Sequence, residues 1–174
     1  MACNGEVKIA YETFGAPSGQ PLLLVMGLGV QMLFWPDDFC AARADAGFAV
    51  ARFDNRDTGL STRFSTAGVP RLFMMLTRPA AAAVYRLEDM ADDASNVLDA
   101  LEWDSAHIVG VSLGAMIAQT IAIRYPARVR TLTCISSTPY WRIGRKKLST
   151  SIRTSLAGIG YGLPRTATSR SGSD

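Results

Sequence analysis

The chain has one histidine, three cysteines and no hydrophobic run long enough to cross a bilayer. A lone His107 excludes any site built from several histidines. Cys3, Cys40 and Cys134 form no metal-ligand spacing, so no metal site is expected. Their odd number suits reduced thiols rather than a disulfide framework, and the N-terminus lacks the basic-then-apolar pattern of a signal peptide. Both point to a cytoplasmic protein. The longest apolar run, Pro21 to Val30, is about half of the roughly 20 residues that a spanning helix needs, which argues against a membrane partner. Charged residues are only 19% of the chain against 48% hydrophobic, enough apolar material for one core, and 174 residues suggest one domain.

What the chain does have is a run with a recognisable context, Gly110-Val111-Ser112-Leu113-Gly114. Ala106 to Val109 upstream reads as a short buried strand, and Ala115 to Tyr125 downstream reads as a helix stopped by Pro126. Strand, sharp turn with Ser, then helix is the setting that a G-x-S-x-G nucleophile elbow requires. Gly110 and Gly114 would let strand and helix pass closely around a strained turn, presenting the Ser112 hydroxyl at the helix N-terminus.

Other segments alternate between strand and helix. Strands are expected at Glu6–Phe14, Pro21–Met26, Phe48–Phe53, Ala106–Val111 and Val129–Ile135, with Asn4-Gly5 as a tight hairpin turn. A helix follows Trp35-Pro36, with Asp37 and Asp38 at its positive end and Gly47 as its C-cap. Leu87, Met90, Ala91, Ala94, Val97, Leu98 and Leu101 recur at helical spacing, and Glu88, Asp89, Asp92, Asp93 and Asp99 read as the solvated face of that helix. Residues 62–86 read as a basic, apolar insertion including Phe73-Met74-Met75-Leu76, packing over the core edge. The alternation predicts an α/β fold with a mostly parallel sheet and helices on both faces.

On these motifs residues 1–139 resemble the N-terminal part of an α/β-hydrolase, and within that superfamily they resemble small-molecule serine esterases, including the aclacinomycin methylesterase-like group. Gly27-Leu28-Gly29 resembles the family's first oxyanion loop, with Met26 in place of its usual His. The resemblance implies that Ser112 is the nucleophile and that the backbone N–H groups of Leu28 and Leu113 form the oxyanion hole. Asp54-Asn55-Arg56-Asp57-Thr58-Gly59-Leu60-Ser61 matches a structural loop beside the active site, with Asp57 where the family has Gly; Asp54 and Arg56 read as structural partners rather than catalysts. The implied substrate is a small-molecule carboxyl ester. No cofactor is implied, since Gly27-Leu28-Gly29 lacks the third glycine of a dinucleotide loop.

The family delivers the triad in the order Ser, acid, His. Here His107 precedes Ser112 by five residues, roughly 15 Å along a strand at about 3.3 Å per residue. After Ser112 the one acid is Asp174. The triad acid and His are therefore expected to be absent, with the last two strands of the fold, leaving an incomplete chain that is weak or inactive alone. The alternative is a non-catalytic hydrolase-like remnant or binding module. The sheet would end at Val129–Ile135, so self-association through that exposed edge is expected. Residues 140–174 read as the start of a cap region and then a basic, disordered tail from Ala157 onward. Seven basic residues against Asp174 give that stretch a net charge of +6, which with +3 overall leaves −3 for residues 1–139. No aromatic interleaving or motif accompanies that charge, so no nucleic-acid partner is expected.

Overall fold

The computed structural model describes residues 1–64 and 85–137. The insertion around Phe73-Met74-Met75-Leu76 and the 140–174 region lie outside the described residues.

A short hairpin opens the chain, β1 (Ala2–Asn4) against β2 (Val7–Ile9), with Asn4 opposite Val7 across Gly5-Glu6. Gly5 has φ +62, a left-handed conformation that favours glycine. The expected strand Glu6–Phe14 is two strands, because β3 (Tyr11–Phe14) leaves the hairpin and pairs antiparallel with β5 (Phe48–Phe53). At the break, Ala10 N–H donates to Ser61 Oγ at 2.9 Å, and its carbonyl accepts from Asp54 N–H at 3.0 Å. The loop after β5 therefore satisfies the Ala10 backbone and lets the chain change sheets.

The main sheet has the order β3-β5-β4-β6-β7, with β4 (Gln20–Val25), β6 (Ala106–Val111) and β7 (Val129–Ile135) parallel to β5. Among the described residues, three helices cover it: α1 (Asp37–Asp45), α2 (Leu87–Ala100) and α3 (Leu113–Arg124). Alternate residues of the strands face opposite layers. Leu23, Val25, Ala51, Phe53 and Ile108 pack with Met90, Ala94, Leu98, Ile117 and Ile121 of α2 and α3. Leu22, Leu24, Met26 and Val50 pack with Trp35 and with Cys40 of α1. Helices on both faces of a mostly parallel sheet are the architecture that the alternation predicts.

Two charges in the core are accounted for by partners. Arg52, inside β5 and 2% exposed, pairs with Glu12 at 2.6 Å and Asp37 at 2.7 Å, donates to the Trp35 carbonyl, and stacks over Phe14. It ties β3 and α1 to β5. Burial pushes the neighbouring Cys40 thiol above its ordinary value, with Arg52 opposing the shift. The second charge corrects the expected solvated acidic face of α2. Asp93 is 1% exposed and accepts two hydrogen bonds from Arg56, at 2.6 and 2.8 Å, and one from Asn4 Nδ2 at 2.9 Å. Three positions after Met90 and four before Val97, it sits on the rim of the apolar face, and Arg56 makes its burial tolerable.

No helix among the described residues is long and apolar enough to cross a membrane.

Candidate active site

β6 emerges from the sheet at Val111, and the Ser112 N–H continues the ladder by one bond to the Ile135 carbonyl, 2.9 Å. The chain then turns sharply. Ser112 has φ 54 and ψ −117, outside the regions comfortable for a residue with a Cβ, and α3 begins at the next residue. The Ser112 carbonyl accepts from Ala115 N–H at 3.1 Å and Met116 N–H at 3.4 Å, starting the helix. Its hydroxyl makes no capping bond to α3, and the residue is exposed. The strained turn thus leaves Oγ free of local backbone service.

The flanking glycines have a measurable reason. A Cβ on Gly110 would lie 2.4 Å from the Gly114 carbonyl oxygen and 2.6 Å from Ala115 Cα. One on Gly114 would lie 2.2 Å from the Val25 carbonyl oxygen and 2.7 Å from that of Met26. The first turn of α3 therefore rests directly on the ends of β4 and β6. Gly27 is brought against the serine: a Cβ there would be 3.5 Å from Ser112 Cβ and 4.0 Å from Oγ. Gly27, the residue before Leu28, and Leu113, the residue after the serine, therefore both border Ser112. Leu113 is the first residue of α3, so its N–H has no partner within the helix and points with the helix dipole.

The loop after β5 braces this arrangement. Asp54 accepts from Met32 N–H at 2.7 Å and from Leu60 N–H at 3.0 Å, one bond per carboxylate oxygen. Asn55 Nδ2 donates to the Met26 carbonyl at 2.9 Å. Asp57, which stands where the resembled family has Gly, keeps the glycine-like conformation, with φ 63, and its carboxylate accepts from Phe64 N–H at 2.6 Å. Aspartate tolerates this region better than most residues because its short side chain bonds locally. Asp54 and Arg56 are structural, as expected, but their partners are backbone amides and Asp93 rather than each other. Nothing in the sequence distinguishes Asn55, which bonds across two strand ends, from any polar loop residue.

His107 lies at the other end of β6, opposite Leu22 near the start of β4. Its Nδ1 pairs with Thr131 Oγ1 at 2.8 Å and its Nε2 with Gln20 Oε1 at 3.3 Å, and its ring meets Phe48 edge-on. Burial, with a smaller contribution from Arg130, holds it below the ordinary histidine value. It is a structural residue of the strand starts. Among the described residues, no group of three or more His, Cys, Asp and Glu could hold a metal ion.

A family model described as alpha/beta hydrolase fold matches residues 20–155. Rhodomycin D methylesterase of Streptomyces sp. (strain C5) is 39% identical over 133 residues, which cover 76% of this chain and 40% of that protein. The rhodomycin D methylesterase of Streptomyces peucetius is 38% identical with the same coverage. The chain thus spans about 40% of the length of the curated relatives it matches. Among solved structures, a hydrolase from Pseudomonas aeruginosa PA01 superposes with a TM-score of 0.65 at 28% identity, covering 79% of this chain and 45% of that one. An N-acyl homoserine lactone degrading enzyme superposes with a TM-score of 0.61 at 29% identity, covering 78% and 44%. The relatives are hydrolases and esterases, and the chain belongs to the alpha/beta hydrolase fold family.

Proposed function

We propose that Ser112 is the nucleophile of a serine hydrolase acting on a small-molecule carboxyl ester, and that this chain by itself is a weak or inactive form of it. The observation that carries the reading is the Ser112 turn: φ 54 and ψ −117, with both flanking glycines packed too tightly for any side chain. A non-glycine residue is held in such a conformation only where the surroundings over-determine it, and such strain clusters at functional sites.

In the reaction a base removes the Ser112 proton as Oγ attacks the ester carbonyl. The backbone N–H groups of Leu28 and Leu113 receive the charge that develops on the carbonyl oxygen. The alcohol leaves with a proton, and water then attacks the acyl-serine to release the acid and restore the hydroxyl. These steps need neither cofactor nor metal. No acid or His follows Ser112 apart from Asp174, and His107 is at the far end of β6, so the chain supplies no base in the family's order. Slow chemistry follows, because an unassisted serine is a weak nucleophile. The esterase-like relatives support the substrate class.

The test is a fluorophosphonate probe on the folded chain. Slow labelling that disappears in Ser112→Ala is expected. A folded chain that never labels, or labelling that survives S112A, overturns the assignment and favours the second reading, a non-catalytic hydrolase-like remnant or binding module that keeps the turn as architecture.

The protein is assigned to the cytoplasm, with no nucleic-acid or membrane partner. Self-association is assigned to β7, which among the described residues pairs only with β6 and exposes Ile135 at 38%. Size-exclusion should show dimers or larger species that shift toward monomer in Ile135→Lys; a wild-type monomer with a sharp cooperative melt would remove this part of the proposal.

A further inference from the structure

Two adjacent side chains at the end of β5 hold both ends of the loop that carries Leu28. Asn55, 3% exposed, donates to the Met26 carbonyl, the last peptide before Gly27. Asp54, 2% exposed, accepts from Met32 N–H, where the loop closes into the 3₁₀ turn Met32–Phe34. Between these anchors the loop contains Gly27 and Gly29, the latter at φ +65, and a single 3.4 Å bond from Val30 N–H to the Gly27 carbonyl. Two glycines give this segment wide backbone freedom. The direction of the Leu28 N–H depends on the torsions of Gly27, so it is defined only if the peptide before Gly27 is fixed.

The Met26 carbonyl is fixed from two sides. Asn55 Nδ2 bonds it at 2.9 Å, and Gly114 of α3 packs so closely that a Cβ there would fall 2.7 Å from its oxygen. Packing alone limits approach from the α3 side but does not orient the carbonyl; the amide bond does.

We propose that Asn55 is a positioning residue for the oxyanion hole, setting the Gly27–Leu28 peptide through the Met26 carbonyl. This rests on the reading of Ser112 as nucleophile. Asn55 touches no reacting atom. Its effect falls on the step in which charge develops on the substrate oxygen, not on the binding of a neutral probe.

Asn55→Asp is the decisive variant. It is isosteric, replaces the donor by an oxygen facing the Met26 carbonyl, and leaves the backbone unchanged. Two measurements on the whole chain are made below its melting transition: the fluorophosphonate reaction resolved into probe affinity and the first-order phosphonylation rate, and amide exchange of residues 27–32. Loss of one oxyanion donor costs about 10²–10³ in rate, so a misdirected donor should lower phosphonylation by at least about tenfold with affinity unchanged within about twofold. Exchange at Val30, whose N–H bonds the Gly27 carbonyl, should rise while α3 stays protected. An unchanged phosphonylation rate, or a fall in affinity alone, overturns the proposal. If the wild-type chain does not label, the Ser112 reading fails by itself. Exchange then decides the loop contact: a rise at Val30 in N55D upholds it, and an unchanged pattern overturns it.

Discussion

The Arg56 guanidinium grips the Asp93 carboxylate through two hydrogen bonds, Nε to Oδ2 at 2.6 Å and Nη2 to Oδ1 at 2.8 Å, with both side chains buried. A third bond runs from Arg56 Nη2 to the Asp89 carbonyl at 3.1 Å, and Phe64 and Tyr85 lie against the guanidinium. The pair joins the loop that braces the oxyanion region to the middle of α2.

Removing one member leaves the other charge buried without its counter-ion. Asp93→Ala should therefore lower stability by about 3–5 kcal/mol, whereas the double change Arg56→Met with Asp93→Leu should cost much less. Urea unfolding of the three chains checks this; equal losses in single and double variants would show that the pair is not the stabilising element.

Gly114→Ala should be far more damaging than an alanine at an open glycine. The added Cβ meets two backbone carbonyl oxygens, of Val25 and Met26, which cannot swing aside as a side-chain tip can. A loss of about 3 kcal/mol or failure to fold is expected, at the upper end for overpacking. Gly5→Ala is the comparison: it meets nothing within 4 Å and carries only the cost of φ +62, on the order of 1 kcal/mol. Thermal melts of the two separate a packing effect from a backbone one.

Ser112→Gly should stabilise the chain. The turn at φ 54 and ψ −117 costs a residue with a Cβ about 1–3 kcal/mol, and glycine relieves part of it despite its greater freedom when unfolded. Ser112→Ala keeps the strain and should gain nothing comparable. Neither variant should label with a fluorophosphonate. A lower melting temperature for S112G than for S112A would show that the turn is not strained.

His107 makes stability depend on pH in a stated direction. Its folded-state value lies below the ordinary 6.5, chiefly through burial, so the unfolded chain binds the proton more readily. Stability should be full above about pH 6.5, fall as pH drops below it, and stop falling once the folded form also protonates. His107→Gln should flatten this part of the profile. A wild-type profile that rises as pH falls through 6.5 would contradict the burial argument.

Much of the sheet was legible because period and punctuation act locally. β4, β5, β6 and β7 lie within a residue of their expected positions, and Ser112 stands between strand and helix as its glycines require. The long strand expected at Glu6–Phe14 is divided because Asp54 and Ser61, some fifty residues away, take over the Ala10 backbone. Asp93 departs from its expected solvated face for a similar reason: its counter-ion comes from Arg56, 37 residues earlier, so helical periodicity places an acid at the rim without revealing its partner.

The sequence by itself determined the alternation of strand and helix and the Gly-Ser-Gly turn, since each is a property of neighbouring residues. The tertiary structure decided which polar groups meet: Asn55 with Met26, Asp54 with Met32 and Leu60, Arg56 with Asp93. Those pairings depend on the parallel register of β4 against β5 and on α3 resting upon both β4 and β6. Register is a long-range result of packing two apolar layers at once, and no local pattern specifies which loops it brings together.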